Sequence, residues 1–134
     1  MDLGYLMLTG GLSGLVSVLL HSILSSALAV VRPGAVVPPL QASDALLHML
    51  YGTGFALLFW LSWGLAAVVD VPWWVRGLSF GSLCWLSFAV PSVVGVALAR
   101  NLPVATIAAL ASRWATTSVI AGLTCAWSWE KIGL

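Results

Sequence analysis

Four apolar runs fill almost the whole chain, at about 5–31, 44–69, 73–99 and 103–129. Each is longer than the ~20 residues a helix needs to cross a bilayer. The breaks between them are short. Arg32-Pro33-Gly34 ends the first run, because proline cannot continue a helix and glycine relaxes the turn. A linker over 32–43 follows, with Pro33, Pro38 and Pro39. Ser43 or Asp44 can then cap the second helix. Asp70-Val71-Pro72 and Arg100-Asn101-Leu102-Pro103 make the remaining turns.

This pattern predicts an all-α integral membrane protein. In lipid, only helices and closed barrels satisfy every backbone group, and no run alternates as a strand would. Short connections make successive helices antiparallel. The expected fold is one membrane domain over 1–134, a four-helix up-down bundle with a kink near Pro91. Both termini then share one side. Runs of this length exceed the hydrocarbon thickness, so the helices should tilt.

Charge narrows the function classes. The 134 residues hold five Lys or Arg and four Asp or Glu, so 7% are charged and 61% are hydrophobic. A soluble domain is typically about 25% charged. The net charge of +1 and the scattered basic residues exclude a nucleic-acid surface. The first run ends in Ala27-Leu28-Ala29, which resembles a signal cleavage site. The run is too long for a signal peptide and no Lys or Arg precedes it, so a retained helix is expected. Arg32 and Arg100 lie on the linker side, with Arg113 expected near it, against Arg76 and Lys131 on the terminus side. That balance favours a cytoplasmic linker and periplasmic termini.

Eight tryptophans stand out. Trp73, Trp74, Trp127 and Trp129, with Trp63 and Arg76, fall near helix ends and suit an interfacial belt. Trp60, Trp85 and Trp114 lie deeper, and their N–H groups need partners.

Small and polar residues recur every fourth position. The first helix carries Thr9, Ser13, Ser17, His21 and Ser25, beside the pair Gly10 and Gly14. The second carries His48, Gly52, Ala56, Trp60 and Gly64, and the third Gly77 and Gly81. The fourth carries Ala105, Ala109, Arg113, Thr117 and Ala121. Such spacing places these residues on one helix face and lets backbones approach.

Three ionisable residues fall inside spans. His21 is expected near mid-membrane. His48, about one turn into the second helix, is expected ~10 Å shallower. That offset disfavours a haem held by both histidines, while a single-histidine ligand stays open. The structural alternative for His48 is a bond to Asp44. Arg113 is costly at depth and should snorkel, pair with Asp44 or polar groups of the first helix, or line a wet cavity.

All four acids lie at helix ends or in tails, which disfavours a proton-coupled exporter. Cys84 and Cys125 lie at different depths, so a disulfide is not expected. They form no metal pattern. No nucleophile–base set, phosphate loop or dinucleotide fingerprint occurs, and the chain is not expected to be an enzyme.

The run 71–81, Val-Pro-Trp-Trp-Val-Arg-Gly-Leu-Ser-Phe-Gly, followed by Trp85 and Pro91, resembles the third helix of the YagU-like small four-helix proteins of the bacterial inner membrane. His48-Met49-Leu50-Tyr51-Gly52 with Phe55-Ala56-Leu57-Leu58 is similar to their second helix. The likeness covers about half the chain and implies the fold and that membrane, with no activity. Their last helix tends to carry a second His-x-x-x-Gly element. Here Arg113 and Thr117 stand in its place, so no histidine pair is implied.

Three functions follow as expectations. The first is a non-catalytic accessory or structural subunit of a larger membrane complex, with membrane lipid and other membrane subunits or itself as partners. The second is a homo-oligomeric small-solute transporter or channel built on the polar stripe, Pro91 and Arg113. The third is a binder of pigment, haem, quinone or lipid through His21 or His48. The sequence requires no cofactor.

Overall fold

A computed structural model of the chain describes residues 2–32, 41–62 and 70–132. It is an all-α bundle of four membrane-length helices, with no strand among the described residues. The first span is α1 (Leu3–Val31), capped by the Asp2 carboxylate, which accepts the Gly4 N–H at 2.8 Å. The second is α2 (Ala42–Leu61). The third divides into α3 (Trp73–Cys84), a π-helical turn (Trp85–Ala89) and α4 (Val90–Arg100). The fourth is α5 (Val104–Ile132). The expected end of the second helix at 69, most of the linker, Trp63 and Gly64 lie outside the described residues.

The break expected at Pro91 takes the form of that π turn. Proline has no N–H to give the preceding turn, and the N–H of Val90 reaches back five residues to the Trp85 carbonyl. The span stops at Asn101, which adopts the left-handed conformation (φ 51°) common just past a helix end.

Glycine contacts set the register of two antiparallel pairs. On α1, a Cβ at Gly10 would collide with the Gly52 carbonyl, and one at Gly14 with the His48 carbonyl. On α3, a Cβ at Gly77 would meet the Gly122 carbonyl, and one at Gly81 the Ser118 carbonyl. Backbones this close gain dispersion contacts that substitute for the hydrophobic driving force missing in lipid. The fourth span then bridges the two pairs, since α5 also packs on α1 and α2.

An aromatic core fills the terminus-side half. Phe80 meets Phe55 and Phe59 edge to face, with centroids 4.9 and 5.1 Å apart. Leu6, Ala56, Ala121 and Cys125 close around them without measurable exposure, and Trp129 lies edge-on to Phe59 at 5.9 Å. Each such ring pair contributes ~0.5–1.5 kcal/mol beyond area burial.

Candidate functional site: a recessed polar cluster and a lateral cleft

Asp44, His48 and Tyr51 share one face of α2, at the spacing i, i+4, i+7. Arg113, Trp114, Thr117 and Ser118 answer them from α5, which runs parallel to α2. Asp44 Oδ2 lies 3.7 Å from Arg113 Nη1. His48 Nδ1 lies 2.6 Å from Thr117 Oγ1, and Tyr51 Oη lies 2.8 Å from Ser118 Oγ. The His48 ring stacks on Trp114 with centroids 3.9 Å apart and planes inclined by 10°.

Thr117 Oγ1 sits between two partners, His48 Nδ1 at 2.6 Å and the Arg113 carbonyl at 3.3 Å, and the direction of the shorter bond follows the His48 tautomer. The expected His48–Asp44 bond is not formed. Asp44 turns to Arg113, and Thr117 from the neighbouring span reaches His48 first.

The relative depth of the histidines is also the reverse of the expectation. Gly14 is level with His48, and His21 lies seven residues further along α1, ~10 Å nearer the linker side. Counting from helix starts misled because α1 runs past the start of α2. From the Gly14–His48 level, α1 continues to Val31, whereas α2 goes back only to Ala42. The difference is eleven residues, or ~17 Å. Helix α5 starts nine residues before Arg113, ~13 Å above it. The Asp44–Arg113 pair is thus recessed below the linker-side ends of α1 and α5, with side chains 32% and 23% exposed. His21 is half-buried, within electrostatic range of Arg113.

The other singled-out residues are mostly consumed in packing. Ser13 and Ser17 are buried, and their hydroxyls donate to the Gly10 and Ser13 carbonyls at 2.7 and 2.6 Å. Thr9 returns to Tyr5 in the same way. The stripe on α1 therefore faces the bundle and spends its donors on its own helix. Trp74 and Trp127 are exposed near the termini, while Trp73 and Trp129 pack against the core. Arg76, expected as an interfacial anchor, is buried in the bundle at 8% exposure. Trp85 gives its N–H to the Ala111 carbonyl at 2.9 Å, tying the π turn to α5. Cys84 and Cys125 are both free and buried.

Matched against protein-family models, curated proteins and solved structures, the chain finds no counterpart in any of the three.

A second feature adjoins the polar cluster, sharing Tyr51 and Trp114 with it. Two adjoining clefts of about 360 and 330 Å³ run between α2 and the third span. Tyr51 and Phe88 line both. The sequence reading did not find this cleft or the Tyr51–Ser118 bond. The i, i+4, i+7 row on α2 was the available signal for the bond. No group of three or more His, Cys, Asp or Glu side chains among the described residues could hold a metal ion.

Proposed function

We propose that this protein is a small non-catalytic accessory or structural subunit of a larger membrane assembly, seated in the bacterial cytoplasmic membrane. The observation that carries the reading is the closed interior. Gly10 on Gly52 and Gly77 on Gly122 bring backbones into contact. Ser13 and Ser17, which a solute path would need as lining, are bonded within their own helix. What the molecule offers its surroundings is lateral apolar surface. Leu8, Leu12, Val16, Ile23 and Leu28 are exposed along α1. Membrane helices associate by packing such surfaces.

The likeness of the runs 48–58 and 71–81 to YagU-like proteins supports the choice of membrane. Arg32 and Arg100 on the linker side support a cytoplasmic linker. The test is gentle extraction of native membranes followed by intact-complex mass spectrometry. The expected species contain this chain with other membrane polypeptides. A chain recovered solely as a monomer or homo-oligomer would sink the reading, and would direct attention to flux assays on Arg113→Ala and His21→Ala.

A further inference from the structure

We propose that the cleft between α2 and the third span binds one acyl chain of an anionic glycerophospholipid, with its phosphate held by Arg100. The larger cleft is lined by Phe88, Ala89, Val93 and Val96 of the third span and by Leu110 and Trp114 of α5. The smaller one continues it past Phe55 and Leu58 to Cys84. From Cys84 to Val96 the groove follows twelve residues of helix, ~18 Å. One leaflet of a ~30 Å hydrocarbon core is ~15 Å deep. The groove therefore has the length of a chain lying in one leaflet, and its walls are mostly apolar.

Charge complementarity selects the headgroup. Ala89, Val93, Val96 and Arg100 follow one another at i, i+4, i+7, i+11, so Arg100 continues the line of the cleft one turn further. It is exposed in the last turn of α4, at the linker-side membrane surface, and forms no ion pair among the described residues. Side chains on a helix lean back toward its N-terminus, which tips the Arg100 guanidinium toward the cleft mouth. A phosphate there is within reach of the guanidinium, and its acyl chain extends down the apolar groove.

Trp114 in the cleft wall provides the readout. The purified full chain is reconstituted in phosphatidylcholine vesicles with rising fractions of either acyl-brominated phosphatidylglycerol or acyl-brominated phosphatidylcholine. The Trp114 signal is the fluorescence lost in Trp114→Phe. The anionic lipid is expected to half-quench it at about a fivefold lower mole fraction, the preference one basic residue confers near an anionic surface. Arg100→Glu should erase that preference and Arg100→Lys retain it. Val96→Phe, at an exposed position in the groove, should weaken quenching by both lipids. Equal quenching by the two lipids in the native chain overturns the proposal, as does a preference that survives Arg100→Glu. The lipid retained on the detergent-extracted protein, read by intact mass, gives a second measurement that does not depend on Trp114→Phe folding. Phosphatidylglycerol should remain on the native chain and be lost from Arg100→Glu, and equal retention on both overturns the assignment.

Discussion

His48 lies flat on Trp114, and its Nδ1 reaches Thr117 one turn further along the same neighbouring helix. One buried side chain thus joins α2 to α5 through a stack and a hydrogen bond. Replacing Thr117 by valine keeps the shape and removes the hydroxyl partner of His48. Interhelical hydrogen bonds in membrane bundles contribute on average ~0.6 kcal/mol and at most ~1.7. A double-mutant cycle of His48→Ala and Thr117→Val, read by unfolding in mixed micelles, should give a coupling of about 1 kcal/mol. His48→Ala alone should cost about 2–4 kcal/mol, since it also leaves a cavity and strips the Trp114 face. Additivity of the two substitutions would mean the bond contributes nothing.

Glycines in this chain divide into two kinds, and substitution should separate them. Gly10→Ala and Gly77→Ala drive a methyl into a facing backbone carbonyl, which cannot move aside as a side chain can. Each should cost about 2 kcal/mol or more by forcing the helix pair apart. Gly54 and Gly95 face open space, so a methyl there meets nothing. Gly54→Ala and Gly95→Ala should be neutral or stabilising by up to ~1 kcal/mol, because alanine is the better helix former. Thermal unfolding of the four variants in one detergent checks the contrast. Equal losses at all four positions would remove the role given to the close contacts.

Much of this architecture was legible in the sequence. Apolar run lengths and Pro33, Pro72 and Pro103 located the four spans, because proline and charge are costly inside a lipid-embedded helix. The small-residue rows located Gly10, Gly14, Gly52, Gly77 and Gly81, which the structure sets against neighbouring backbones. The partners within the polar cluster were less legible. A spacing rule within α2 points His48 at Asp44, but the contact depends on how α5 slides against α2. That slide is fixed by packing that no single helix encodes. Depth failed for the same reason, since the level of His21 follows from where Gly14 meets His48 and not from counting along either helix. The Asp44–Arg113 pairing was within reach because Arg113, ten residues into the fourth run, has few acids to choose from.

The Asp44–Arg113 pair should matter less for stability than its position suggests. Its contact is long, at 3.7 Å, and both side chains keep access to the surface. Part-exposed ion pairs typically contribute 0–1 kcal/mol after screening and side-chain ordering. A cycle of Asp44→Asn and Arg113→Gln should therefore show coupling below about 1 kcal/mol, shrinking further in high salt. A coupling of several kcal/mol, unmoved by salt, would place the pair in a dry interior instead of an open recess.

The two cysteines should report on the cleft. Cys84 lies at its inner end, beside Tyr51 and Phe55, whereas Cys125 is sealed in the aromatic core with no exposed area. A small membrane-permeant maleimide should label Cys84 first and reach Cys125 only on unfolding. Labelling rate follows access to the sulfur as well as its ionisation. Removing bound lipid with detergent should speed the Cys84 reaction, since an occupied groove blocks the approach. Peptide mapping after timed labelling distinguishes the sites. Cys125 reacting as fast as Cys84 in the folded protein would contradict the sealed core. A Cys84 rate indifferent to lipid would show that the inner end of the groove is not where the chain lies.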